Sequence, residues 1–320
     1  MPSPSRFSGA STAQATAPPS RDIPGQKSTS PIFAIEHIRR MRGGAQAQLM
    51  RCSDGRYYVV KFLNNPQSPR VLANELLGGR LARLLGLPVA TGSIVNVHDV
   101  LIQLTQDLTI ELPRERIPCQ SGWCFGSRYQ GIVRCHSNEN DLPTWELRRV
   151  TNLRDFCGML VFDLWTCNTD SRQVIFIRKD RKALDSPYHA VMIDQGFCFN
   201  AGGWNFPDSP LRGLYRRPVV YENVRFMNAF EPWLTRLEQM DLDVISTAAE
   251  GLPSSWYGSD KDSLKFLLER LYRRRTRIQD LILSARNSDR NPFPNWSRWT
   301  YSAENHCLPK EIRNESEKGE

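Results

Sequence analysis

The chain has 320 residues, 40% of them hydrophobic and 24% charged, with a formal net charge of +8. That length suffices for one large domain or two lobes sharing a core, and no apolar run is long enough to cross a bilayer, which argues against a membrane-spanning protein. The basic excess gathers in Arg270–Arg277 (RLYRRRTR) and His37–Arg42 (HIRRMR). It comes without a finger motif or a Gly-aromatic RNA-binding signature, so no direct contact with nucleic acid is expected.

Residues 1–31 are rich in Ser, Pro, Ala and Thr, show no apolar periodicity and lack the apolar segment of a secretion signal, so they are expected to form a disordered tail. Structure is expected from Ile32. Ala45–Cys52 (AQAQLMRC) and Arg56–Phe62 (RYYVVKF) read as two strands joined through Ser53-Asp54-Gly55. An Asp-Gly pair between such runs is a strong hairpin signal, because Gly supplies the positive φ of a tight turn. Ser68-Pro69 then opens a helix, with Ser68 as N-cap and Leu72, Leu76, Leu77, Leu81, Leu84 and Leu85 as its apolar stripe; Gly86 stops it. Glu75 lies one residue off the stripe. Ser93–Leu104 (SIVNVHDVLIQL) and Leu108–Leu112 (LTIEL) read as further strands.

A Gly-, Cys- and aromatic-rich connection follows from Cys119 to Arg134, and then the character changes. Asn152–Trp165 (NLRDFCGMLVFDLW) is helical, with Phe156, Leu160, Val161 and Leu164 on one face. A polar knot from Asn168 to Gln173 separates it from two strands, Val174–Arg178 and His189–Asp194. A long loop runs from Gln195 to Arg212. Two helices close the chain, one around Ala229–Met240 and one from Asp262 to about Ser284, and the end from Asn287 is expected to fray.

Of the eight cysteines, Cys157, Cys167 and Cys198 lie in apolar runs, where the residue behaves as a small buried hydrophobe. Cys119, Cys124, Cys135 and His136 contain no CxxC pair and do not make a structural zinc pattern. A reducing, cytoplasmic setting is the simpler expectation.

Five features share one chemistry. Gly43, Gly44, Ala45 and Gln46 form a small-residue turn at the start of the hairpin, whose backbone N–H groups can approach phosphates. Lys61 closes the second strand, Glu75 rides the following helix, Asp170 sits in the polar knot, and Asp194 ends the last strand. Phosphoryl transfer from ATP uses this inventory: a lysine against the phosphate charge, a glutamate to hold it, one aspartate as proton acceptor and one to fix Mg2+. A hairpin between the aspartates brings them together.

The two stretches GGAQ…DGRYYVVKF and NELLGGRLARLLGLPV, with NTDSRQVIF and VMIDQGF further on, resemble HipA-like kinases, a family of ATP-dependent serine/threonine kinases with a phosphatidylinositol-kinase-like fold. The resemblance runs in order from about Ile32 to Arg286, and is closer to a compact kinase domain than to the full toxin of a toxin–antitoxin pair. It implies an α+β, bilobal, protein-kinase-like fold: a small, mainly antiparallel β N-lobe with one helix over 32–130, a larger, mainly helical C-lobe over 131–286, and a flexible tail over 287–320. It implies Lys61 as the ATP-phosphate lysine with Glu75 as its partner, Asp170 as catalytic base and Asp194 as Mg2+ ligand. Cys124–Tyr129 (CFGSRY), with Ser127, falls where the adenine-binding hinge belongs.

One position departs from the family pattern. Where an asparagine follows the base by five residues as second metal ligand, this chain has Ile175, which cannot coordinate a hard cation. Gln173 or Asn168 is then expected to supply the oxygen, and Arg172 to brace Asp170 or meet phosphate charge. The expected function is an ATP- and Mg2+-dependent kinase with a protein substrate and an antitoxin-like or regulatory partner. The competing readings are a nucleotide-binding pseudokinase acting as an interaction module, a lipid or small-molecule kinase, and a basic nucleic-acid-binding protein. Trp204, Phe206 and Trp233 either wall a substrate site or pack the long loop onto the core.

Overall fold

β1 (Ile32–Arg40), β2 (Gln48–Cys52) and β3 (Tyr57–Lys61) open the fold in the computed structural model, which describes residues 31–131, 134–135, 142–178, 180, 186–209 and 211–297. The Asp-Gly turn joins β2 to β3 as its residue types require: Asp54 accepts the Arg56 N–H through Oδ1 at 3.1 Å and the Tyr58 hydroxyl through Oδ2 at 2.8 Å. β1 has no period-two signature. Its run of Glu36, His37, Arg39 and Arg40 is largely solvent-facing, and its pairing with β2 slips at two points.

The strand order is β1-β2-β3-β7-β4, with β4 at Gly92–Val97 and β7 at Gly122–Arg128. The sheet closes into a barrel through a short parallel pairing of β1 with β4, Ile32 opposite Val95 and Phe33 opposite Asn96. Closure brings the two outer strands together over these two pairs. Met50, Cys52, Tyr58, Val60, Phe62, Val95, Val97 and Cys124 fill the interior together with Leu108, Ile110 and Cys119.

Two sequence expectations are corrected in this part of the chain. Ser93–Leu104 is not one strand: β4 ends at Val97 and α2 (Asp99–Leu104) follows, with Asp99 in its first turn where a carboxylate suits the helix N-terminus. Val100 and Leu104 are exposed, so the apolar run did not mark a buried strand, and there are two helices here rather than one. The supposed connection after Cys119 holds the barrel strand β7, whose Cys124 and Phe125 are buried. Between α2 and β7 lies a small hairpin of β5 (Thr109–Glu111) and β6 (Arg116–Pro118).

α1 (Arg70–Leu84) begins one residue after Pro69, and Ser68 Oγ accepts the Arg70 N–H at 3.2 Å. Leu72, Leu76, Leu77 and Leu81 are buried as the stripe requires, whereas Leu84 faces solvent. These leucines belong to the larger of two apolar clusters, which α1 shares with Phe156, Leu160 and Trp165 of α4 (Asp155–Thr166).

After the barrel come β8 (Arg134–Cys135), α3 (Thr144–Leu147), α4, β9 (Gln173–Arg178) and β10 (Tyr188–Ile193), the strands forming an antiparallel sheet in the order β10-β9-β8. α5 (Trp233–Glu238), α6 (Leu242–Ala248), α7 (Lys261–Arg274) and α8 (Ile278–Arg286) complete the described helices. The single helix expected over Asp262–Ser284 is divided at Arg275–Arg277 by a 3-10 turn. The architecture is thus mixed α and β. Among the described residues no helix is long and apolar enough to cross a membrane.

The fraying expected from Asn287 does not reach residues 287–297, and residues 298–320 lie outside the described residues. Phe293 is fully buried, edge-on to Tyr221 and Phe230, and Ser297 N–H donates to Arg225 O at 2.9 Å. An aromatic side chain spaced by Asn and Pro gave no periodic signal, yet its burial is what holds residues 287–297 down. The tail expected over residues 1–31 lies outside the described residues except for Pro31.

Candidate active site

Strand direction gathers the first group of residues. β1 and β3 both run antiparallel to β2, with Arg40 opposite Gln48 and Gln48 opposite Val60. The Gly43–Gln46 turn that follows β1 therefore lies at the same end of the barrel as Lys61. Gly43 has φ +127°, a conformation glycine adopts freely. Gln46 does not offer its side chain to the turn's interior. Its Nε2 donates to Glu111 O and its Oε1 accepts Glu111 N–H, both at 2.7 Å, tying the turn to β5. Ala45 is buried, and Gly44 packs beside Gln67.

Lys61 Nζ sits between two carboxylates, 2.5 Å from Glu75 Oε1 and 2.9 Å from Asp194 Oδ1. Burying an unpaired ammonium would be prohibitive, and two partners remove that cost. Burial works against the charge on Lys61, and Asp194 and Glu75 outweigh it, so its pKa stays above the usual lysine range. Asp194 goes the other way: burial disfavours its ionisation, but the Lys61 charge and hydrogen bond hold it below the ordinary carboxylate value. Glu75 is pushed up to about 7 by burial, which Lys61 only partly offsets while the charge of Asp194 adds to the rise.

The turn after β10 is built to reach this trio. Asp194 has φ 58°, left-handed for a residue with a Cβ. Glu75 Oε2 accepts the Gln195 N–H at 2.9 Å. A Cβ on Gly196 would lie 2.7 Å from Val71 and 3.2 Å from Glu75 Oε1, so only glycine lets the chain pass α1 this closely. Asp194-Gln195-Gly196 is thus a unit shaped by contact with α1.

The polar knot converges from the other arm of the hairpin. Gln173 lies opposite Ile193, which puts Asp170 and Asp194 beyond the same end of the β9–β10 pair. Thr169 N–H donates to Phe197 O at 3.1 Å, and Asn200 N–H to Cys167 O at 3.2 Å, so the loops that carry the two aspartates are laced together. Asp170 is half-buried. Its Oδ1 accepts Ser171 N–H at 2.8 Å, and its Oδ2 accepts Gln173 Nε2 at 3.0 Å.

Three expectations for the knot are corrected or narrowed. Asn168 is buried with its Nδ2 donated to Asp163 Oδ1 at 2.9 Å and its Oδ1 accepting Asp170 N–H at 3.1 Å, so both ends of its amide shape the loop. Arg172 does not meet phosphate charge: its side chain is wholly enclosed, held by both oxygens of Asp163, with Nη1 donating to Ile193 O at 2.9 Å. It reaches Asp170 only through Asp163 and Asn168. Gln173, half-buried, keeps one amide hydrogen bond to Asp170 and remains the amide of the pair beside the carboxylates. Ile175 lies in the middle strand of the sheet between Val191 and Cys135.

Ser127 is the penultimate residue of β7, paired with Val59 on one side and Gly92 on the other. Tyr129 N–H bonds Tyr57 O at 2.8 Å, so the CFGSRY segment expected at the hinge is paired with the barrel as far as Tyr129. Trp204 and Trp233 are buried, and Trp233 lies so close to Gly158 that a Cβ there would touch its ring at 2.3 Å; both pack the core rather than wall a substrate site.

Sequence reasoning missed Asp163 and Asn74. Asp163 carried a signal, a lone carboxylate in an otherwise apolar helical run. Asn74 carried only its place next to Glu75.

Residues 34–177 match the family model described as HipA-like kinase, a span that includes Lys61, Glu75, Asp170 and Gln173 and stops before Asp194. No curated protein matches the chain. Among solved structures it is similar to the Golgi casein kinase, at 15% identity and a TM-score of 0.46 over 82% of this chain and 75% of that one. The same kinase with Mn/ADP bound gives 13% identity and 0.41 over the same shares. The Helicobacter pylori proinflammatory kinase CtkA gives 14% identity and 0.45 over 77% of this chain and 94% of that one.

Proposed function

We propose, from the HipA-like kinase resemblance of residues 34–177, that the chain is an ATP- and Mg2+-dependent phosphotransferase acting on a protein serine or threonine. The observation that carries the reading is Lys61 held between Glu75 and Asp194, residues that come 14 and 133 positions later in the chain. No structural need of a barrel strand calls for two carboxylates on one buried lysine. The trio sums to one negative charge when all three are ionised, which favours a cation beside it.

The donor set fits Mg2+. Asp194 spends Oδ1 on Lys61 and keeps its side chain 29% exposed, and Gln173 offers an amide oxygen; both are hard ligands. Asp194 and Gln173 would hold the ion, which when bound neutralises charge on the phosphate oxygens. Lys61 meets the phosphates of the nucleotide, kept in place and ionised by Glu75. The Gly43–Gln46 turn, fixed to β5 by Gln46, presents backbone N–H groups at the same barrel end. Tyr129 and the residues beyond it take the place of the hinge.

Asp170 accepts the proton of the acceptor hydroxyl as its oxygen bonds to the γ-phosphorus and the bond from that phosphorus to the β-bridging oxygen breaks, releasing ADP. Asn168 holds the Asp170 backbone N–H, and the Ser171 N–H holds its carboxylate. Asp163 and Arg172 hold the loop itself.

Mass spectrometry after incubation with ATP and Mg2+ tests the reading: phosphate appears on the chain or on a supplied protein, and Asp170→Asn cuts the rate by roughly 10²–10⁴-fold, the share of a positioned base. Equal rates in the two proteins reject the role of Asp170. A second reading, a pseudokinase that binds nucleotide as an interaction module, is favoured by Ile175 and by the turning of the Asn168 amide to Asp163 and the Asp170 backbone. ATP-dependent thermal stabilisation without phosphate transfer selects it. An antitoxin-like or regulatory partner goes with the family resemblance and a cytoplasmic setting with the cysteine usage, and the same incubation with lipid added separates a lipid acceptor from a protein one.

A further inference from the structure

α1 carries a second set of contacts beside Glu75. Arg70, Asn74 and Gly78 follow one another at four-residue spacing and so lie in one row on the helix surface. Each meets the segment that follows Asp194. Arg70 donates to Gly202 O at 3.1 Å and lies over the Trp204 ring at 4.6 Å. Gly78 leaves the space that Gln195 fills, since a Cβ there would meet the Gln195 Cβ at 2.9 Å. Asn74, fully buried, does most: the two N–H groups of its Nδ2 are shared among Gly196 O at 2.9 Å, Cys198 O at 3.0 Å and Ala201 O at 2.8 Å, while its Oδ1 accepts Trp204 Nε1 at 2.8 Å.

The segment so held does not hold itself. Asp194, Phe199, Asn200, Ala201 and Trp204 all have left-handed φ, between 49° and 59°. Each such residue costs on the order of 1 kcal/mol or more and persists only where its surroundings over-determine it. One amide spans four of these attachments. On its other side the segment binds the end of α4 and the polar knot after it, through Phe199 N–H to Thr166 O at 2.6 Å, Asn200 N–H to Cys167 O and Thr169 N–H to Phe197 O. A chain of direct hydrogen bonds therefore runs from α1 through residues 196–204 to the loop of Asp170.

We infer that Asn74 is a positioning residue for both aspartates: it fixes the strained segment that aims Asp194 and that backs the loop of Asp170. The part of this that concerns cation and nucleotide rests on the kinase reading above. The part that concerns the loops does not. A residue of the apolar kind at position 74 would fill the same volume and leave three carbonyls and an indole N–H without partners in the interior.

The test uses the full chain, ATP with and without Mg2+, and hydrogen–deuterium exchange. Asn74→Asp keeps the acceptor for Trp204 and sets an oxygen against the three carbonyls; Asn74→Ser, smaller and uncharged, serves if the first variant does not fold. The expected result is a fall of about 10–100-fold in the factor by which Mg2+ strengthens ATP binding, the usual effect of losing a group that orients a metal ligand, with Mg2+-free binding within about twofold of wild type. Exchange rises in residues 166–170 together with 194–204, and not in β2 and β3. General loss of stability would weaken binding with and without Mg2+ alike and would leave that factor unchanged. An unchanged factor, or exchange that rises in 194–204 but not in 166–170, overturns the inference. If the wild type binds no ATP, the kinase reading fails, and the exchange of 166–170 alone decides the positioning role.

Discussion

Arg172, inside the polar knot, and Asp163, nine residues earlier in α4, form a two-point ion pair with neither side chain exposed. The pair clamps the C-terminal turn of α4 to the start of β9, and Arg172 extends the clamp to Ile193 O, the residue before Asp194. Removing one partner strands a charge in the interior, which costs about 3–5 kcal/mol, whereas replacing both with apolar residues of similar volume costs far less. Asp163→Leu alone is expected to lower the denaturation midpoint sharply, and Asp163→Leu with Arg172→Met to recover most of it. Urea unfolding of the three proteins checks this; a double variant no better than the single one would show that the clamp is more than charge compensation.

Glu75 gives stability a pH dependence opposite to that of most paired carboxylates. Its folded-state pKa is raised from 4.5 to about 7, chiefly by burial. A carboxyl raised in this way stabilises the fold fully below its unfolded value and loses that contribution as pH climbs through about 7. Asp194, held below its ordinary value, contributes the reverse: stability present above that value and lost as the solution becomes strongly acidic. The melting temperature is therefore expected to decline from mildly acid to mildly alkaline pH, and Glu75→Gln, which keeps a side-chain oxygen for Lys61, is expected to flatten that decline. Parallel slopes in the two proteins would assign the effect elsewhere.

Gln195 is a place where the fold gives up stability. Its Nε2 is buried with no hydrogen-bond partner among the described residues, although its backbone N–H serves Glu75. An unsatisfied buried amide costs about 1–3 kcal/mol, so Gln195→Leu, which keeps the backbone contact, is expected to raise the unfolding free energy by that order. A calorimetric scan decides it: a lower midpoint would mean that the amide makes a hydrogen bond in the folded protein, as to an enclosed water, that leucine cannot replace.

The sequence made some of this legible and hid the rest for identifiable reasons. Tyr57–Lys61, α4 and the β9–β10 hairpin announce themselves by alternation, helical spacing or turn chemistry, and the acids at their ends follow from those elements. β1 was hidden because a strand that closes a barrel with its charged face outward has no regular alternation. α2 was hidden because its exposed Val100 and Leu104 imitate a strand's apolar beat. Asn74 could not be found from the sequence at all, since what makes it matter is a loop that begins 122 residues later. Arg172 was legible as a residue of the site but not in its role, because a guanidinium beside an aspartate says nothing of which aspartate it meets.

The cysteines offer a chemical probe of the same loops. Cys52, Cys119, Cys124, Cys157, Cys167 and Cys198 are free and buried. Burial pushes the Cys52, Cys119 and Cys157 thiols up to about 12, and raises those of Cys124 and Cys198 as well. Only the thiolate is nucleophilic, so at pH 8 these residues are expected to resist iodoacetamide until the protein unfolds. Cys167 differs. Burial raises its pKa too, but Arg274 and Arg212 pull against the rise, and Arg212 Nη1 lies 3.8 Å from its sulfur. It stands three residues before Asp170, so it is expected to be the first of the six to alkylate, at a rate that follows opening of the polar knot rather than global unfolding. Peptide mapping of a labelling time course measures this. Cys167 reacting no faster than Cys124 would mean that the loop opens only when the whole fold does, and that the lacing of Thr169 to Phe197 and of Asn200 to Cys167 is as strong as the core beneath it.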